Sequence, residues 1–281
     1  MSIKEITIVI TTFNSDEKVN SCLDSIDRNC KVIIVENSNN IAFKKKIEKD
    51  FPNVECILAG ENLGYGKANN LGIKKVKTKF ALILNPDTQL GELTLQNFII
   101  CANKFNDFAI IGPSIKNEKN KKEISEITES SLISVDYVKG FAMFLNLSEF
   151  NETGFFDERF FIYFEEIDLC LRLRKNGKKI YFASNIKVFH EGGQSHNKSI
   201  NQEMELSRNW HWMWSTFNYH KKYKGFFIAL LIVFPQLVSA TFKFIIYSLL
   251  SKKEKRNIYF QRFSGLINAI KGKTSWYRPK V

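Results

Sequence analysis

Asp87 is the first residue whose chemistry needs a reason. It sits in the stretch FALILNPDTQL, Phe80 to Leu90, where Ala81 to Leu84 read as a buried strand. Proline cannot continue a central ladder, and a carboxylate at the end of a core strand is costly unless something there uses it. Asn, Pro and Asp are also turn formers, so the triplet taken alone reads first as a turn. A second polar cluster follows an earlier strand. The loop ENLGYGKANNLG contains Gly64-x-Gly66, but Asn69 stands where a dinucleotide fingerprint needs its third glycine. Such a loop entering a helix can still set backbone amides against a phosphate.

The elements that must position these residues alternate. ITIVITTF is a strand ending in hydroxyls, and SDEKVNSCLDSI after it is a capped helix. KVIIVENS ends a second strand at Glu36, VECILAG is a third before the helical GKANNLGIKKV, and KFALILNPD is a fourth. Short buried strands separated by helices imply an α/β fold with a largely parallel sheet and right-handed crossovers. Ligands bind such sheets outside the carboxyl ends of the strands. Thr11, Thr12, Glu36, Asn37, Asp87 and the loop Asn62–Asn70 all fall at those ends, and that convergence favours a site over a turn.

The chain has 281 residues and is 44% hydrophobic, enough for one large α/β domain with an appendage. Native disorder is excluded by that composition. Its five scattered cysteines, without a CxxC pair, point to buried thiols in a reducing compartment. The start MSIKEITIVI lacks a signal-peptide layout, so a cytoplasmic location is expected.

The net charge of +12 is confined to one quarter of the chain. Residues 221–281 hold 13 Lys/Arg and one acid, Glu254, leaving 28 basic and 28 acidic residues in 1–220. No nucleic-acid-binding motif accompanies the charge, and nucleic acid is not an expected partner. The basic residues bracket the apolar run Phe226 to Leu250, the pattern of an anionic membrane surface. Pro235-Gln236 interrupts that run, so two short interfacial helices or a re-entrant hairpin are expected instead of a span. Trp210, Trp212 and Trp214 before it suggest an aromatic belt at the membrane edge. The polar segment Lys116 to Ser131 reads as a mobile excursion.

Five motifs together, ITIVITTFN, VIIVENS, ENLGYGKANNLGI, LILNPD and FFIYFEEIDLCLRLRKNG, resemble glycosyltransferase family 2 in order and spacing over about residues 5–220. They are most similar to its bacterial rhamnosyltransferase-like branch. The resemblance implies the GT-A fold, a Rossmann-like, mixed, mainly parallel sheet with flanking helices. It implies a domain at 1–220, with a donor half at about 1–115 and an acceptor half at about 132–220. Residues 221–281 are then a basic, apolar, membrane-associating helical tail.

The resemblance also implies inverting transfer of a sugar, with rhamnose the best guess, from a nucleotide-diphosphate donor. The acceptor is a glycan or a polyprenyl-linked glycan in surface polysaccharide synthesis at the cytoplasmic membrane face. The family's Asp-x-Asp reads Asn85-Pro86-Asp87 here, leaving Asp87 to bind Mg²⁺ or Mn²⁺, hard cations that prefer oxygen ligands. Thr11, Thr12, Glu36, Asn62, Gly64, Asn70 and Asn85 match donor-binding positions. Glu166 matches the base that deprotonates the acceptor hydroxyl. Glu165 supports it, and Asp168 either caps the helix or binds Arg172. Three acids at a helix N-terminus also simply suit its dipole. His190 matches a metal-binding histidine of relatives, His196 lies in a loop expected to order with donor, and His211 and His220 read as packing or interfacial residues. A non-catalytic relative acting as a membrane assembly partner, or transfer of galactose or an N-acetylhexosamine, are the alternatives.

Overall fold

The structure, a computed structural model, describes residues 2–105, 107–115, 131–190 and 196–279. The polar segment expected at 116–131 thus lies outside the described residues, except for Ser131. The chain divides into two compact units, Met1–Phe156 with Glu166–Asn197, and Asp157–Glu165 with Lys198–Val281.

In the first unit the four expected strands form, as β1 (Ile6–Thr12), β2 (Lys31–Glu36), β3 (Val54–Leu58) and β4 (Phe80–Leu84). They pair in parallel in the order β3-β2-β1-β4. Beyond β4 the sheet is mixed. It continues through β5 (Thr88–Leu90), β6 (Phe108–Ile115), β7 (Leu132–Ser134), β8 (Ala142–Asn146) and β9 (Lys179–His190). β8 is antiparallel to both β4 and β6, whereas β9 is parallel to β6 and antiparallel to β5 and β7. A register shift at Pro113/Ser114 lets β9 serve β7 with one half and β5 with the other.

Both faces of the sheet are covered, so its strands are near-continuous apolar runs. Ile8 and Ile10 face a core shared with α1 (Val19–Asp24), α2 (Ile41–Asp50) and α4 (Thr94–Lys104). Val9, one residue out of phase, faces a second core with α3 (Tyr65–Ile73) and α5 (Glu165–Lys175). The first helix is shorter than its sequence suggests, because Ser15 closes a turn at Lys18 and Val19 before it begins. All five cysteines are buried free thiols. Burial alone pushes Cys101 up to about 12, despite Lys104 nearby, so it is inert as a nucleophile.

The second unit is built on α6 (Asn201–Lys224), α7 (Phe226–Leu249) and α8 (Lys253–Ile270). Trp210, Met213, Trp214 and Phe217 of α6 pack with Ala229 and Val233 of α7 and Leu266 and Ala269 of α8. The expected boundary at 220 therefore falls inside α6, which belongs with the tail because its aromatic face is that unit's core. A Cβ at Gly265 would lie 2.3 Å from the Trp210 carbonyl oxygen, so glycine sets how closely α8 approaches α6. The expected aromatic belt is corrected too. Trp210 and Trp214 are core, and of the three only Trp212 is exposed. His211 is a packing residue, as expected. It contacts the Tyr277 carbonyl at 2.9 Å and Ser275 Oγ at 3.0 Å, and burial pushes it down to about 3.

Phe226–Leu249 is one continuous helix, not the expected pair. A proline removes one helical hydrogen bond and strains one turn. Here Ala229 and Val233 before Pro235, and Ala240 after it, are all buried, which pins both halves to a single axis. The opposite face stays bare: Phe227, Leu231, Phe234, Val238, Phe242, Ile245 and Leu249 recur every three or four residues and are all exposed. By length and apolarity the helix could cross a membrane.

Candidate active site

The polar side chains of the first unit collect at one edge of the sheet. β1, β2 and β4 finish there, β8 begins there, and β9 ends there. Thr11 and Thr12 close β1 with both hydroxyls buried and without a hydrogen-bond partner. Asn37, just past β2, donates its backbone N–H to the Thr12 carbonyl at 2.9 Å. Its side-chain oxygen accepts from Leu63 N–H at 3.2 Å, and its amide donates to the Gly64 carbonyl at 3.4 Å. The loop before α3 is thus sewn to the end of β2. Asn62 accepts from Gly64 N–H at 3.1 Å, and Gly64 takes the left-handed φ of 78° that starts α3.

Three expected donor-site residues have structural work of their own. The Glu36 carboxylate accepts from Ser38 N–H at 3.0 Å, Ser38 Oγ–H at 2.5 Å and Asn40 N–H at 2.7 Å, holding the turn into α2. Asn70 grips the backbone of Phe156 twice, donating to its carbonyl at 2.9 Å and accepting from its N–H at 3.0 Å. Asn85 receives Thr88 N–H on its carbonyl and donates its own N–H to Phe141, so NPD is also a turn. The turn and the site are the same object: it delivers Asp87 to the edge.

Asp87 is 5% exposed, and its Oδ1 faces His190 Nε2 at 3.4 Å, with no hydrogen bond made by either atom. The register Thr88↔His190 in the β5–β9 pair brings them together. Phe141 stacks on the His190 ring at 4.6 Å and fixes its plane. Asp87 Oδ1 is satisfied either by the ring proton of His190, when it sits on Nε2, or by a cation between the two atoms. Among the described residues no third His, Cys, Asp or Glu completes a metal cluster with them. Further ligands would have to come with a bound molecule.

The acids of α5 separate into roles. Asp168 is wholly buried and accepts from Arg172 Nε at 2.7 Å, and Arg172 also donates to the carbonyls of Thr153, at 2.9 Å, and Phe155, at 2.5 Å. Asp168 therefore binds Arg172 and holds the loop before the helix. Glu166 is partly buried, one carboxylate oxygen lacks any hydrogen bond, and burial raises its carboxyl above the usual range. Glu165 is buried. Two left-handed non-glycine residues, Tyr163 (φ 71°) and Phe164 (φ 69°), come immediately before the acids. That conformation costs about 1–2 kcal/mol per residue and is kept where a side chain must be aimed.

Sequence reasoning missed Phe141 and Tyr65, whose hydroxyl donates to the Gly140 carbonyl and fixes the start of β8. No local pattern marks either residue, since only long-range contacts place them. His196 is buried, and the next residue, Asn197, donates its N–H to the Asn14 carbonyl at 2.7 Å, folding this segment onto the end of β1.

The fold is shared with solved structures. A mannosyltransferase from Pyrobaculum calidifontis, in complex with GDP-Man and Mn²⁺, aligns at a TM-score of 0.60 with 10% identity, over 96% of this chain and 88% of that one. Staphylococcus aureus TarS 1–349 aligns at 0.53 with 11% identity, over 97% and 93%. In sequence, the rhamnosyltransferase WbbL of Escherichia coli is 25% identical over 75% of this chain and 91% of its own length. A low-salt glycan biosynthesis hexosyltransferase of Haloferax volcanii, Agl10, is 25% identical over 66% and 67%. The family model for glycosyl transferase family 2 matches residues 7–172, from the second residue of β1 to the arginine that clamps α5. With more than half the chain and the whole strand-edge cluster through Asp168 inside that match, the protein belongs to glycosyl transferase family 2.

Proposed function

We propose that this glycosyltransferase moves a sugar, rhamnose as the best guess, from a nucleotide-diphosphate donor to a lipid-linked glycan, with inversion. The observation that carries the reading is the edge cluster itself, in which unpartnered Thr11, Thr12, Asp87 and Glu166 atoms share one unit with the stitched loop 62–64. Thr11 and Thr12 contact the nucleoside, and the loop before α3 holds the donor. Glu166 takes the proton from the acceptor hydroxyl; the acceptor oxygen bonds to the anomeric carbon as the bond to the diphosphate breaks. Its raised pKa makes it a stronger base than an exposed glutamate.

Asp87 and His190 would hold a divalent cation, which when bound offsets the charge of the leaving diphosphate. An imidazole beside a carboxylate shifts the preference from Mg²⁺ towards Mn²⁺. The rhamnosyl guess rests on relatives such as WbbL, named a rhamnosyltransferase. The enzyme sits peripherally on the cytoplasmic membrane face, with α7 in the plane of the bilayer. A spanning α7 would carry Lys243 into the hydrocarbon, at up to about 2.5–3.5 kcal/mol were it at the centre. Lying flat, it immerses only the exposed stripe. A panel of nucleotide sugars with Mn²⁺, read by thermal shift of the full-length protein, tests the donor assignment. Stabilisation by one nucleotide sugar above the others supports it, and no stabilisation by any nucleotide sugar overturns it.

A further inference from the structure

The second unit carries an open cleft of about 280 Å³ lined by Tyr163, Glu205, Arg208, Asn209, Trp212 and Arg262. Glu205, Arg208, Asn209 and Trp212 follow one another at i, i+3, i+4 and i+7 on one face of α6, and Arg262 comes from α8. The two guanidinium groups are poorly matched by acid. Arg208 is 3.7 Å from Glu205, whose other oxygen already accepts from Asn209 at 2.8 Å. Arg208 Nε is buried without an acceptor. Arg262 makes no ion pair among the described residues and rests only near the Tyr259 ring, at 5.8 Å. A smaller basic cleft on the same unit, beside Trp214, differs on this point. There Arg159 and Lys222 are both paired with Asp157, at 2.6 and 2.8 Å.

A buried guanidinium nitrogen without an acceptor is costly, and planar guanidinium forks match phosphate oxygens two at a time. The other wall is aromatic. Trp212 is 43% exposed and meets Tyr163 edge-on at 5.3 Å. A cleft this size, just under the usual 300–1,000 Å³ of ligand sites, admits a phosphorylated head group but not a whole glycolipid. We infer that Arg208 and Arg262 bind a diphosphate, that of the isoprenyl carrier bearing the acceptor glycan, with Trp212 and Tyr163 flanking its organic part. The inference rests on the proposed transfer to a lipid-linked acceptor.

Calorimetry on the full-length protein in detergent with EDTA tests it, because chelation removes the metal-dependent donor site from the measurement. The probes are farnesyl diphosphate, inorganic pyrophosphate and phosphatidylglycerol in the same detergent micelles. Farnesyl diphosphate should bind more tightly than pyrophosphate, and Arg262→Gln and Arg208→Gln should each weaken both by at least about tenfold. Both variants should keep Mn²⁺-dependent binding of a nucleoside diphosphate, which also reports that they fold. Wild-type affinity in both variants, or phosphatidylglycerol binding as tightly as farnesyl diphosphate, overturns the site. Equal affinity for the two diphosphates overturns the lipid carrier as its source. Loss of Mn²⁺-dependent nucleotide binding in the wild type would instead sink the donor reading and leave the EDTA result standing.

Discussion

Asp87 Oδ1 faces His190 Nε2 at 3.4 Å because Thr88 and His190 are direct partners across the β5–β9 ladder. The carboxylate reaches that spot from the NPD turn, and the imidazole from the last residue of a twelve-residue strand. If the pair holds Mn²⁺, Asp87→Ala should lower Mn²⁺-dependent affinity for a nucleoside diphosphate by more than the 10–100-fold typical of outer-shell changes. His190→Ala should cost less, since one charged ligand remains. Calorimetry with and without Mn²⁺ decides it, and metal-dependent affinity preserved in Asp87→Ala would remove Asp87 from the metal site.

Glu166→Gln keeps the shape of the side chain but cannot accept a proton. Transfer should fall by about 10²–10⁴-fold while donor affinity persists. In the wild type, the acid limb of the rate profile should lie above the ordinary glutamate range, since burial raises this carboxyl. A variant turning over at the wild-type rate would move the base to Glu165.

The same shift has a stability consequence. Between the ordinary unfolded value and the raised folded one, the folded chain binds more protons, so stability falls as pH rises through the folded pKa. Glu166→Gln should therefore melt higher than wild type at about pH 8 and equally at about pH 3, below both values. Melting curves at the two pH values test the sign, and a variant less stable at the higher pH would mean that the ionised carboxylate is favourably held.

Asp168 and Arg172 should behave as structure. Removing one member of a buried pair costs about 3–5 kcal/mol. Arg172 keeps two backbone carbonyls, so Asp168→Ala is expected near 3 kcal/mol, seen as a lower urea midpoint with an unchanged slope. A variant as stable as wild type, yet inactive, would promote Asp168 to a chemical role.

The bare face of α7 should bind lipid. Leu231 is 74% exposed, so Leu231→Asp leaves the fold intact but forfeits about 1.5–3 kcal/mol of burial, about 10–100-fold in affinity for phosphatidylglycerol vesicles. Cysteines placed at Lys224 and Lys252, the two ends of the helix, should both react with an impermeant maleimide from one side of sealed vesicles. Labelling at one end only would show that α7 spans.

The sequence by itself determined the four parallel strands, the loop before α3 and the polar residues at the strand ends. Those features are local: period, breaker residues and apolar runs declare themselves within ten residues. It left Asp168 as a cap or a partner of Arg172, since helical spacing makes i and i+4 neighbours, and the structure chose the pair. The convergence of strand ends favoured a site over a turn at Asn85-Pro86-Asp87, but that one turn serves both roles depends on which strand passes opposite. Only tertiary structure put His190 beside Asp87 and Phe141 on its ring, through a β5–β9 register that no local pattern encodes. Only tertiary structure carried α7 straight through Pro235 and drew α6 into the C-terminal unit. A proline's local cost and a tryptophan's local preference are each outweighed when Ala229, Val233 and Ala240 have helices to pack against.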